Sequence, residues 1–97
     1  MKMAFLIEGT GVTPEQYDQI VEKLNLGGKA APGGIFHIAG PMEGGMRVVD
    51  VWESREAFIE FSKTLLPIIE KTGVNVPEPT ILPAYYVYVG QTEAVPA

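Results

Sequence analysis

Apolar and polar residues alternate in four stretches of this chain, and two intervening stretches repeat their apolar residues every third or fourth position. The first period marks strands and the second helices. Met3 to Glu8 reads as the first strand. Thr13-Pro14-Glu15-Gln16 then opens a helix, with a capping residue, proline at the first helical position and a glutamine able to bond back to the cap. Tyr17, Ile20, Val21 and Leu24 follow as one apolar stripe, and Gly27 and Gly28 are expected to stop the helix just past Leu26.

Ile35 to Gly40 and Met46 to Trp52 form a predicted hairpin around the turn-like Pro41-Met42-Glu43-Gly44-Gly45. A loop over Met42 to Gly45 places Pro41 across from Met46, which sets His37 opposite Asp50 and Phe36 opposite Val51. Ser54 caps a second helix whose stripe is Phe58, Phe61, Leu65 and Ile68, with Pro67 predicting a kink or break near Leu66. Gly73 ends that helix. Val74 to Pro83, with its prolines, reads as an extended arm, Ala84 to Gly90 as the last strand, and residues 91–97 as a loose tail.

The order is βαββαβ, an α+β arrangement in which right-handed crossovers put both helices on one face of a four-stranded antiparallel sheet. Alternation divides the strands into two faces. Phe5, Ile7, Phe36, Ile38, Val49 and Val51 are assigned to an aliphatic face beneath the helices. Leu6, Glu8, His37, Val48, Asp50, Trp52, Tyr86 and Tyr88 are assigned to the other, which two helices cannot cover. So apolar a surface, left bare, marks an interface or ligand site, and pairing of two sheets is the expected remedy.

Composition narrows the chemistry. The 97 residues suffice for one domain, expected over 1–90, and a domain of this size gains from association. There is no cysteine and a single histidine, which rules out disulfides, thiolate sites and the ligand cluster of a structural zinc. Seven basic residues are scattered among twelve acidic ones, for a net charge of -5, so nucleic acid is an unsuitable partner. The N-terminal apolar run breaks at Glu8, too short for a secretory signal, and no stretch has the length of a membrane span; a cytoplasmic location is expected.

The segment VVDVWESREAF, Val48 to Phe58, has an aromatic residue at a strand end followed by an acidic, capped helix start. With the element order from Met3 to Gly90, it resembles the dimeric α/β-barrel superfamily, the ferredoxin-like group that includes antibiotic-biosynthesis monooxygenases, stress-responsive barrel proteins and small polyketide cyclases. The resemblance implies a homodimer joined through sheet faces. It also implies a pocket between sheet and helices or in the barrel mouth. Haem-degrading relatives carry their axial histidine on a helix, whereas the histidine here lies on a strand. The oxygenases that need no cofactor are the better match, having a third-strand tryptophan and nearby tyrosines in their pockets.

His37 and Asp50 are the candidate catalytic pair. A neutral imidazole can accept a proton near physiological pH, and a carboxylate across the hairpin would orient it. An aspartate among valines needs a partner, because burying an unpaired carboxylate is costly. Trp52, Tyr86 and Tyr88 are candidates for an aromatic wall, with Val48, Leu6 and Glu8 completing the substrate site. Two classes of function follow. One is a cofactor-independent monooxygenase, or a cyclase or isomerase, that moves a proton on a small apolar or aromatic molecule. The other is a non-catalytic binding or stress-associated barrel protein whose polar residues knit a dimer together, and haem binding through His37 ranks third.

Overall fold

The computed structural model describes residues 1–90, so the expectation of a loose tail at 91–97 lies outside the described residues. Six elements follow the predicted order: β1 (Met3–Thr10), α1 (Pro14–Leu24), β2 (Gly34–Met42), β3 (Gly45–Trp52), α2 (Arg55–Thr72) and β4 (Thr80–Pro83). They build one antiparallel sheet in the order β2-β3-β1-β4, a ferredoxin-like α+β fold. Among the described residues no helix is long and apolar enough to cross a membrane.

Local signals place the helix starts. Thr13 accepts from the Gln16 amide at 3.1 Å while the Gln16 side chain accepts from the Thr13 amide at 2.9 Å, closing a capping box ahead of Pro14. Asn25, at φ 54°, ends α1 in the left-handed region two residues before the glycines expected to do so. Ser54 caps α2 by accepting from the Ala57 amide at 3.1 Å. The helix then runs unbroken through Pro67, so no break occurs near Leu66.

The hairpin register matches the sequence reading, with Phe36 across from Val51, His37 from Asp50 and Pro41 from Met46. Pairing continues one pair further, to Met42 and Gly45, leaving a two-residue turn with Gly44 at φ 77°. At Gly45 a side chain is impossible: a Cβ would lie 2.1 Å from the Gly9 carbonyl oxygen.

The faces of β1 and the last strand differ from expectation. Phe5 pairs with Asp50 and Ile7 with Val48, so Phe5 and Ile7 share a face with His37, Asp50 and Trp52. Leu6 and Glu8 point to the opposite face, where Glu8 holds Arg47 at 2.8 Å. The helices cover the face that carries Phe5 and Trp52, not the valine face. Phe5 stacks on Phe58 with ring centroids 4.0 Å apart, and Trp52 meets Phe58 and Phe61 at 5.9 and 4.9 Å. Rings this large remove more apolar surface from water than valines do, so the aromatic stripe of α2 selects the face that presents them.

The last strand forms earlier than its sequence suggests, at Thr80–Pro83, with Met3 opposite Pro83 and Leu6 opposite Thr80. The Ala84 amide still reaches the Lys2 carbonyl at 2.9 Å. The ladder with β1 ends at that point. Tyr86 and Tyr88 therefore lie off the sheet, 80% and 79% exposed, and form no wall with Trp52.

Candidate functional site

The packed core is one-sided. Phe5, Ala31 and Trp52 are buried together, with Met3, Leu26, Ala57, Phe58, Phe61 and Ile81 against them. Gly33 draws this end tight: at φ 83°, a Cβ there would lie 2.7 Å from that of Ala57, and its carbonyl accepts from the Glu53 amide at 2.8 Å. Beside this cluster a space remains between the helices and the sheet, bordered by Trp52, Phe58 and Phe61 as well. A cavity of about 720 Å³ opens there, within the range of small-molecule sites. Ile7, Val48 and His37 form part of its floor, Tyr17, Ile20 and Leu24 one wall, and α2 with residues 74–79 the other.

Asp50 stands at the boundary between packed and hollow ends, 7% exposed. Its Oδ1 lies 2.5 Å from His37 Nδ1, and its Oδ2 accepts from Trp52 Nε1 at 3.3 Å. Both oxygens thus have partners, which is what lets a carboxyl group sit beneath the helices. Trp52 is 4% exposed and serves as core and as donor to Asp50.

On its far side, His37 Nε2 lies 2.6 Å from the phenol oxygen of Tyr17. The two ring planes are 9° apart with centroids separated by 6.1 Å. With Asp50 accepting from Nδ1–H, Nε2 is free to accept from the Tyr17 hydroxyl. Tyr17 comes from the first turn of α1, whose capping box fixes it over β2.

His37 and Tyr17 are both shifted from their ordinary values. The hydrogen bond to Asp50 raises the pKa of His37, assisted by the carboxylate charge and opposed by burial. Burial raises that of Tyr17, and the charges of Asp50 and Asp18 push the same way. One negative charge therefore favours an imidazolium at His37 and disfavours a phenolate at Tyr17.

Of the residues singled out from sequence, His37, Asp50, Val48 and Trp52 meet at the cavity, but on the helix-covered face and not the bare one. Leu6 and Glu8 are on the other side of the sheet, and Tyr86 and Tyr88 are outside it. Tyr17 escaped the sequence reading as a polar group because it occupies a regular place in an apolar stripe. A phenol at a stripe position of a well-capped first turn was the available signal. Haem or metal ligation by His37 would require breaking one of its two hydrogen bonds. Among the described residues no group of three or more His, Cys, Asp and Glu side chains could hold a metal ion.

No protein-family model matches the chain, and no curated protein matches it significantly. Solved structures do. One is the crystal structure of a protein from Chloroflexus aurantiacus J-10-fl, provisionally named an antibiotic biosynthesis monooxygenase; at 20% identity the match covers 91% of this chain and 99% of that one, with a TM-score of 0.60. The chain accordingly has the ferredoxin-like fold seen in that antibiotic-biosynthesis-monooxygenase-like structure.

Proposed function

We propose that this protein binds a small, mostly apolar ring molecule between its sheet and helices and catalyses proton transfer on it, as a cofactor-independent monooxygenase. The observation that carries this reading is the Tyr17–His37–Asp50 hydrogen-bond chain at the wall of a mostly apolar cavity. Such a site binds by shape and apolar contact, and the hydrogen-bonded chain offers a place where a proton can leave. An activated methylene between two ring systems suits it. Loss of a proton leaves an enolate-type carbanion that dioxygen can oxidise. Conversion of that methylene to a carbonyl consumes one O2: one oxygen atom enters the product, the other leaves as water, and the substrate supplies all four electrons. The name given to the Chloroflexus protein of the same fold supports an oxygenase.

The test is oxygen uptake with anthrone, a tricyclic ketone with one activated methylene. Uptake above the uncatalysed rate, with the quinone as product, is expected. Turnover of ring ketones without oxygen uptake would replace the oxygenase with a cyclase or isomerase that shares the proton step. Binding without turnover would make this a ligand-binding barrel protein.

A second copy of the chain is the proposed partner, through the sheet face that the helices leave bare. Ala4, Leu6, Phe36, Ile38, Val49 and Val51 give that face an apolar centre, with Ile38 54% exposed. Its charges are the mutually neutralising Arg47 and Glu8 at one end. A surface with no net charge can meet itself despite a chain charge of -5.

A further inference from the structure

We infer that Tyr17, rather than His37, is the residue that meets the substrate, its phenol oxygen taking the substrate proton while His37 and Asp50 work behind it. The inference rests on the proton-transfer reading above and specifies which atom performs it.

Both nitrogens of the imidazole are engaged, Nδ1 with Asp50 at 2.5 Å and Nε2 with Tyr17 at 2.6 Å. A base must offer a lone pair within hydrogen-bond reach of the proton it takes, and His37 has none to spare. Its ring is half exposed, but its hydrogen-bonding atoms face protein partners. The phenol oxygen has two lone pairs and one proton, so after donating to Nε2 it can still accept from a molecule in the cavity. The rest of its wall, Ile20, Val21 and Leu24, is aliphatic, which leaves Tyr17 as the polar atom that α1 presents there.

The transfer balances as a two-proton step. The substrate C–H bond breaks and leaves its electron pair on the substrate. That proton bonds to the Tyr17 oxygen, and the proton formerly on Tyr17 bonds to His37 Nε2. The phenol is neutral before and after, and the imidazolium is held by Asp50. Burial and the charges of Asp50 and Asp18 oppose a free phenolate, so the two transfers are coupled. Once the product leaves, the relay runs back: Nε2 returns its proton to the Tyr17 oxygen, and the proton that oxygen took from the substrate passes to water in the emptied cavity. Tyr17 is the catalytic residue in this scheme, and His37 and Asp50 are positioning and relay residues.

The experiment follows exchange of the activated methylene protons of 2-tetralone in D2O by proton NMR, which needs no oxygen chemistry. Tyr17→Phe keeps the ring and its packing. It is expected to lower exchange by about 100-fold or more, the range of a lost acid–base group, whereas Asp50→Asn leaves measurable exchange with a displaced pH profile. Retention by Tyr17→Phe of more than about a third of the wild-type rate would overturn the inference, since so small a loss is well below that range. The 15N signal of His37 Nε2 is read on the same proteins without ligand. A shift on Tyr17→Phe supports the phenol–imidazole bond, and no shift overturns the inference whatever the exchange rates. Wild-type protein that fails to exchange 2-tetralone while Nε2 still shifts overturns the functional reading, and Tyr17's part in it, but not the bond.

Discussion

Phe5 lies directly across from Asp50 where β1 pairs with β3, so the most deeply buried ring and the buried carboxyl group share one side of the sheet. The pairing explains why the helices pack where they do: α2 lays Phe58 on Phe5, and the space left beyond Asp50 becomes the cavity.

Truncating that ring tests the face assignment. Phe5→Ala should cost about 3–5 kcal/mol in urea unfolding, as large-to-small changes in packed cores do, and Leu6→Ala on the bare face distinctly less. Equal losses, or a larger one at Leu6, would mean that the helices cover the other side.

Because the chain has one histidine, its titration can be followed through a single imidazole signal in NMR. Asp50→Asn removes the leading cause of the raised His37 value and leaves burial, which lowers it. The midpoint should fall. An unchanged or higher midpoint would show that the carboxylate is not what holds the proton there.

Stability should depend on pH through the same group. The folded-state pKa of His37 is raised, so the folded protein binds a proton that the unfolded chain gives up near 6.5. The stabilisation is complete below that unfolded value and is lost as pH rises through the higher folded one. Urea midpoints of wild type and His37→Gln, measured across pH 5 to 9, should be furthest apart at the acid end and converge toward the alkaline end. A gap that widens with pH would reverse the assigned sign.

Ile38→Glu places a carboxylate in the centre of the bare apolar face while leaving the cavity untouched. Sedimentation velocity should show a dimer for wild type and a monomer for the variant, with unchanged far-ultraviolet circular dichroism. A variant that remains dimeric would move the interface elsewhere.

Features set by near neighbours in the chain were legible in the sequence, and those set by distant partners were less so. Thr13 with Gln16, Ser54 with Ala57, and His37 with Asp50 all involve short separations or one tight turn, where residue type and count dictate geometry. The parity of β1 is different, because Phe5 meets Asp50 only after a helix and a hairpin have been placed, and nothing within MAFLIEG says which side the helices take. Pro83 and the aromatic run after it favoured a late strand. The ladder between β1 and β4 runs only from Thr80 to Pro83, with one further bond from Ala84 to Lys2, and Tyr85 to Gly90 lie outside it. Tyr17 looked like core because it holds a regular place in the apolar stripe of α1, and its hydroxyl gains meaning only once His37 arrives opposite.

The uneven filling of the interior partly separates two burdens that many small domains must carry with the same atoms. The core cluster centres on Phe5 and Trp52, while much of the cavity wall is aliphatic side chains of the helices, with Trp52, Phe58 and Phe61 belonging to both. Residues such as Ile20, Leu24 and Leu65 can therefore be exchanged for larger or smaller ones with modest penalty. A scaffold arranged this way is open to retuning toward new ring systems, by selection or by engineering, before its thermal endurance becomes limiting.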